Sequence, residues 1–113
     1  ENIKKMNDNA IVFALANPIP EIMPDEAKRG GATIIATGRS DFSNQLNNAL
    51  VFPGLFRGLL DNRIQKVTVE IKIAVAEAIA SLVEKPSPEN IIPSIFDEQI
   101  VAIISKTLKQ FAE

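Results

Sequence analysis

Several side chains that carry much of enzyme chemistry are missing from this 113-residue sequence, which contains no Cys, His, Tyr or Trp. The absence of Cys excludes disulfides, thiolate nucleophiles and Cys-based zinc sites. The absence of His removes the commonest general base and the commonest metal ligand. Any catalysis confined to this chain would therefore have to use Asp, Glu, Lys, Arg or Ser.

The sequence also lacks a block of basic charge and a long hydrophobic run. Acidic and basic residues are mixed along the chain and give a formal net charge of −2, so we predict no nucleic-acid partner. The apolar runs are much shorter than the roughly 20 residues that cross a bilayer, and no signal-peptide core follows the N-terminal residues. We therefore predict a cytoplasmic protein with no membrane partner, and at this length one domain at most.

Two short apolar runs predict the strands of a parallel sheet. Residues 10–16 form a continuous run of β-forming residues, which suits a buried strand, and Asn17-Pro18 ends it. Residues 24–29 predict a short helix, with Pro at its start, acidic residues next and basic residues at its end. Residues 32–36 form the second strand. This strand–helix–strand order predicts an α/β fold with a parallel sheet.

Three helices are expected in the second half of the chain. One begins at Pro53-Gly54 and ends near Leu60, and another covers residues 68–83. Asp97 is a suitable N-cap for a last helix that ends near Phe111. The apolar stripe expected on the second of these helices is Ile71, Val75, Ala78, Ile79 and Leu82. The stripe expected on the last is Ile100, Ile104, Leu108 and Phe111.

Polar segments follow both predicted strands. Asn17-Pro18 follows the first strand and residues 38–41 follow the second, so both lie at the carboxyl edge of the sheet, where ligands bind in such folds. Asn17 could present its carboxamide to a ligand or could form an ordinary turn before Pro18. Arg39 could contact an anionic group or could form a surface pair with Asp41. The residues alone leave both questions open.

Four carboxamides occur within five residues, at Asn44, Gln45, Asn47 and Asn48. Neutral amides can bind a carboxylate or a hydroxyl without the cost of burying a charge. A polar loop with a helix cap would show the same pattern, and the sequence does not distinguish the two interpretations.

Three blocks of the sequence together resemble the malic enzyme family. Residues 11–22, IVFALANPIPEI, resemble the family's buried strand followed by Asn-Pro. Residues 36–48, ATGRSDFSNQLNN, resemble the next strand end with its paired Asn, and residues 52–58, FPGLFRG, resemble the Phe-Pro-Gly helix start. The similarity continues in the family's order over nearly the whole chain. Ser43 is a departure, because many relatives have Pro there.

The resemblance implies that residues 1–113 are the C-terminal portion of a malic enzyme NAD(P)-binding domain. The fold would be α/β, a partial Rossmann-like parallel sheet of late strands followed by C-terminal helices. The implied reaction is the oxidative decarboxylation of L-malate to pyruvate and carbon dioxide, with reduction of NAD or NADP and assistance from Mg²⁺ or Mn²⁺. A homodimer is also implied.

The resemblance also assigns the site residues. It places Asn17 between the nicotinamide end of the cofactor and the substrate, and it assigns Asn48, with Asn47 beside it, to malate binding. Three residues after the second strand that we also expect to contact the cofactor are Gly38, Arg39 and Ser40.

The remaining functional residues of the family are expected outside this chain. They are the general-base Lys, the Tyr acid, three acidic metal ligands and the Gly-rich phosphate loop, all upstream of these blocks. The sequence has no Tyr and no Gly-x-Gly-x-x-Gly. We therefore expect a segment of a longer protein that has no catalytic or metal-binding residue, is inactive alone and needs the upstream half of the enzyme. The alternatives are a non-enzymatic binding or assembly module of the same fold, and an unrelated small-ligand domain with an amide-lined pocket.

Overall fold

The computed structural model describes residues 1–112, which divide into two compact units. The first unit comprises Glu1–Leu46 together with Lys85–Ile91. The second comprises Asn47–Glu84 together with the chain from Ile92 onward. Over residues 1–112, no helix combines the length and the apolar character needed to cross a membrane.

A two-stranded parallel sheet and a short helix form the first unit. β1 (Ala10–Ala14) pairs with β2 (Ala32–Thr37), and α1 (Pro24–Arg29) lies between them in the chain. The fixed φ of Pro24 suits the first turn of α1, and the order of acidic and basic residues complements the helix dipole. The predicted strand–helix–strand pattern is confirmed. The core of this unit consists of Ala27, Ala32 and Ile35, with Ile3, Val12 and Ile22 packed against them.

β1 differs from its prediction in length and in burial. It ends at Ala14 rather than at residue 16, and the N–H of Ala16 donates to the side chain of Glu21. Alternate residues of this segment are about half exposed, at 56% for Ile11, 51% for Phe13 and 54% for Leu15. The reason is that, in the part of the chain that the structure describes, the sheet has two strands and α1 packs on its other face.

Three helices form the second unit, α2 (Phe52–Asp61), α3 (Val69–Ser81) and α4 (Gln99–Leu108). Each has a residue favoured by sequence rules at or near its start, although the N-cap of α4 is Glu98 rather than the predicted Asp97. Pro53 lies in the first turn of α2, and the Thr68 hydroxyl accepts the N–H of Ile71 at the start of α3. The Asp97 carboxylate accepts the N–H of Gln99 at the start of α4. All three predicted helices are confirmed with slightly different ends, and a 3-10 turn, Lys109–Phe111, follows α4.

The predicted apolar stripes of α3 and α4 form the core of the second unit. The buried residues of this core are Leu50, Ile64, Ile71, Val75, Ile79, Ile100, Ile104 and Leu108, with Leu82 and Phe111 partly buried against them.

Two glycines let α2 and α4 approach closely. A Cβ at Gly54 would lie 2.8 Å from Cδ1 of Ile104 and 3.2 Å from Cα of Val101. A Cβ at Gly58 would lie 2.6 Å from Cδ1 of Leu108. Neither position has room for a side chain unless the helices or their side chains move.

Candidate functional site

Asn17 and Gly38 lie next to one another at the carboxyl ends of β1 and β2. Asn17 is exposed in the turn after β1, and its peptide bond to Pro18 is cis. Gly38 directly follows β2, and a Cβ built on it would lie 2.7 Å from Oδ1 of Asn17. A side chain at residue 38 would therefore collide with the Asn17 carboxamide. The expectation that the two polar segments meet at this edge of the sheet is confirmed.

Glu21 closes the turn that contains Asn17. Its Oε2 accepts the backbone N–H of Ala16 at 3.1 Å, which joins the end of the turn to a residue just after β1. Backbone hydrogen bonds, first from Glu21 itself and then from Ala16, lower the pKa of the Glu21 carboxyl because they favour its charged form. Glu21 is not among the site residues predicted from the sequence. Its position in the sequence does give a signal, because an acidic residue directly after Pro18 and Pro20 can accept a hydrogen bond from the backbone at the end of the preceding strand.

Arg39 is paired with Asp41 in the turn after β2. Its Nε and Nη2 donate to the two carboxylate oxygens of Asp41, each at 2.8 Å, and its guanidinium lies 5.4 Å from the ring centroid of Phe42. The hydrogen bond from Arg39 lowers the pKa of the Asp41 carboxyl. The Arg39–Asp41 surface ion pair is therefore present in the structure. Such an exposed pair contributes little to stability.

Asn44 is buried, in contrast to its neighbours in the amide-rich segment. It has a φ of 58°, and its side chain is 7% exposed. Its Nδ2 donates to the carbonyl oxygens of Ile35 at 3.0 Å and Pro88 at 2.8 Å. Its Oδ1 accepts the N–H of Ile91 at 2.9 Å. In the sequence Asn44 is only one of four neighbouring amides, because these hydrogen-bond partners are distant along the chain.

Asn47 and Asn48 are the first residues of the second unit, and their carboxamides differ in environment. Oδ1 of Asn47 accepts the N–H of Ala49 at 2.9 Å and so caps the 3-10 helix Asn48–Leu50. Asn48 begins that helix, and its side chain is exposed. A helix cap was one of the two interpretations of the amide-rich segment, and it is present at Asn47. Asn47 and Asn48 are both exposed, but only Asn47 accepts this cap hydrogen bond in residues 1–112.

The predicted site residues are divided between the two units. Asn17, Gly38, Arg39 and Ser40 belong to the first, in which Gly38 and Arg39 are partly buried and Ser40 is exposed. Asn47 and Asn48 belong to the second.

The chemistry of these groups suits binding and orientation. Carboxamides and a hydroxyl donate and accept hydrogen bonds but transfer no protons near neutral pH. They fit the uncharged carboxamide and ribose hydroxyls of a dinucleotide. Among residues 1–112, no group of three or more acidic side chains comes together to hold a metal ion.

Comparisons with known sequences identify the family. Residues 1–110 match the family model described as malic enzyme, NAD binding domain. The chain is 47% identical to the bifunctional malic/malolactic enzyme of Bacillus subtilis, over 99% of this chain and 28% of that protein. It is 46% identical to the NAD-dependent malic enzyme of Geobacillus stearothermophilus, over 99% of this chain and 24% of that protein.

Solved structures agree with the sequence comparisons. The malic enzyme of Pyrococcus horikoshii superimposes with a TM-score of 0.94 at 56% identity, over 97% of this chain and 25% of that chain. The malic enzyme of Entamoeba histolytica superimposes with a TM-score of 0.92 at 43% identity, over 97% of this chain and 23% of that chain. The chain thus spans about a quarter of the length of these relatives. The α/β fold and the resemblance are confirmed, and the chain belongs to the NAD-binding domain family of the malic enzymes.

Proposed function

We propose that this chain is the C-terminal part of the NAD(P)-binding domain of a longer malic enzyme. That enzyme oxidatively decarboxylates L-malate to pyruvate and carbon dioxide and reduces NAD or NADP. The observation that carries the proposal is the position of Asn17 beside Gly38 at the carboxyl edge of the parallel sheet, where α/β folds bind their ligands. The family match over residues 1–110 supports it.

The site residues have binding roles in this proposal. Asn17 lies between the nicotinamide and the malate, Asn48 and Asn47 hydrogen-bond the malate, and three further residues contact the cofactor, namely Gly38, Arg39 and Ser40. Neutral carboxamides can orient an anionic substrate without the cost of burying a counter-charge. The dinucleotide supplies the hydride acceptor when it is bound. Proton transfer and the binding of Mg²⁺ or Mn²⁺ belong to residues outside this segment.

Exposed apolar side chains support the view that the segment is part of a longer protein. Ile11 and Phe13 in β1 and Leu15 just after it are about half exposed. On α2, Phe52 and Phe56 are exposed with ring centroids 5.8 Å apart. Contiguous apolar groups of this kind mark interaction surfaces. We propose that the upstream half of the same polypeptide covers them. A homodimer in the cytoplasm is part of the same proposal.

The test is an assay of the full-length protein with malate, Mn²⁺ and either NAD or NADP. We expect malate-dependent formation of the reduced cofactor, with pyruvate as the product. Dinucleotide binding without turnover would instead favour a non-enzymatic module of the same fold. Absence of both would overturn the proposal.

Replacing Gly38 by Ala is expected to lower kcat/KM for malate in the full-length enzyme. The added methyl group would lie 2.7 Å from Oδ1 of Asn17, so the carboxamide must move. Misplacement of a site group by a fraction of an ångström to about 1 Å costs on the order of 10- to 100-fold in rate. The control is Thr33→Ala, at an exposed position of β2. Wild-type kinetics in Gly38→Ala would show that the Asn17 carboxamide does not take part.

A further inference from the structure

The side chain of Asn44 joins three segments of the first unit that are far apart in the sequence. It donates to the carbonyl of Ile35 in β2 and to the carbonyl of Pro88, and it accepts the N–H of Ile91. Its own carbonyl accepts the N–H of Thr37, the last residue of β2, at 3.4 Å. Leu46 closes the same turn by donating to the Thr37 carbonyl at 2.8 Å. Asn44 thus fastens residues 38–46 to both β2 and the segment Lys85–Ile91.

We propose that Asn44 is a positioning residue for dinucleotide binding, an inference that rests on the proposed function. The turn of residues 38–46, here called the cofactor turn, carries Gly38, Arg39 and Ser40. The other residues of this turn are exposed or partly buried, and Asn44 is its buried member. Two backbone hydrogen bonds also join the turn to Thr37, but within residues 1–112 only the Asn44 side chain joins it to Ile35, Pro88 and Ile91, so we expect the turn to shift when that side chain is removed. Asn44 therefore acts on the cofactor through the backbone of the turn and does not touch it.

The geometry requires a carboxamide at this position. One side chain must supply two donated hydrogen bonds and one accepted hydrogen bond, which Asn provides and Asp or Ser does not. The backbone sets a separate requirement, because a φ of 58° is accessible to Gly and tolerated by Asn, but is unfavourable for most other residues. The two requirements can be separated by mutation, since Asn44→Gly keeps the backbone conformation and removes only the side-chain hydrogen bonds.

The experiment measures the Kd of the dinucleotide by calorimetry, and kcat and the cofactor KM by steady-state kinetics, in the full-length protein. For Asn44→Gly we expect a Kd about tenfold higher, since one buried and two partly buried hydrogen bonds are lost and 1.4 kcal/mol corresponds to tenfold. For Asn44→Asp we expect a larger increase, because its carboxylate would face the carbonyls of Ile35 and Pro88. The cofactor KM should rise with the Kd, while kcat at saturating cofactor changes less.

A purely conformational role for Asn44 predicts a different result. If Asn44 were needed only for its positive φ, Asn44→Gly would bind the dinucleotide like wild type, and this outcome overturns the inference. Ile104→Val, a core change in the second unit, is the control for a general loss of stability and should leave the Kd unchanged. If the wild-type protein itself binds no dinucleotide, the proposed function is wrong. That result differs from one in which the wild type binds the dinucleotide and Asn44 proves to have no positioning role.

A measurement on the wild-type protein covers the case in which the variants do not fold. Because Asn44 links the cofactor turn to Lys85–Ile91, dinucleotide binding should slow hydrogen exchange at the Ile91 amide, which donates to Asn44. Unchanged exchange over residues 85–91 on saturation with dinucleotide would overturn the inference.

Discussion

Replacing Asn48 by Ala in the full-length protein is expected to raise KM for malate and to lower kcat. Loss of a positioned hydrogen bond costs on the order of 1–3 kcal/mol, which corresponds to about a 5- to 150-fold drop in kcat/KM. The exposed carboxamide of Asn48 is free of the cap contact that occupies Asn47. We expect a drop of the same order for Asn17→Ala. The measurement is steady-state kinetics with malate varied at saturating cofactor.

Two variants control this prediction. Asn7→Ala makes the same chemical change at an exposed position outside the proposed site and should have wild-type kinetics. Asn47→Asp keeps an oxygen that can accept the N–H of Ala49 but loses the amide donor, so it separates the cap from the malate contact. Wild-type kinetics in both Asn17→Ala and Asn48→Ala would show that the substrate binds elsewhere.

Replacing Gly54 by Ala is expected to destabilise the packing of α2 against α4. Ala is the better helix former by about 1 kcal/mol, which by itself would stabilise α2. Its methyl group, however, would lie 2.8 Å from Cδ1 and 3.1 Å from Cβ of Ile104, and overpacking of this kind costs about 1–3 kcal/mol. We expect the collision to outweigh the helix propensity, because the Val101 backbone is also only 3.2 Å away. The measurement is the midpoint of denaturant unfolding.

A second substitution tests the cause of the destabilisation. Ile104→Val removes Cδ1, the atom nearest to the new methyl group, so the double variant should lose less stability than the sum of the two single changes. Leu60→Ala is the control on α2, because that side chain is 78% exposed and its loss should change stability by no more than about 0.5 kcal/mol. A rise in the midpoint for Gly54→Ala would mean that the two helices do not approach as closely as the structure shows.

Local signals account for the parts of the fold that the sequence predicts well. The helix starts carry residues that stabilise the first turn directly, either through the fixed φ of a proline ring or through a side-chain oxygen that accepts a backbone N–H. These residues are Pro24, Pro53, Thr68 and Asp97. Such effects need no knowledge of the rest of the chain. The apolar stripes of α3 and α4 are equally local, because a helix places residues three and four apart on one face.

Burial of β1 could not be predicted from its composition. Its run of apolar residues is typical of a strand covered on both faces, yet Ile11 and Phe13 are about half exposed in residues 1–112. A run of apolar residues shows that a strand can be buried, but it does not show which segment covers each face. That depends on elements distant in the chain.

The amide-rich segment shows the same limit at the level of single residues. Asn44, Asn47 and Asn48 have identical side chains, and the sequence gives them identical chemistry. Their environments differ because Asn44 meets the carbonyl of Pro88 and the N–H of Ile91, which are 44 and 47 residues away. Asn47 and Asn48 are both exposed, and the side chain of Asn47 accepts the N–H of Ala49, two positions ahead.

By itself the sequence determined the family, the α/β class, the positions of the helices and the points at which polar residues follow the strands, because each of these depends on the order and spacing of neighbouring residues. It also limited the chemistry, since His, Cys and Tyr are absent. Only the tertiary structure decided that Gly38 lies against the carboxamide of Asn17, that Asn44 fastens the cofactor turn, and that Gly54 and Gly58 face α4. These are contacts between residues far apart in the chain. Differences of a few tenths of an ångström decide whether such a contact is close or open, and only the packing of the folded chain sets them.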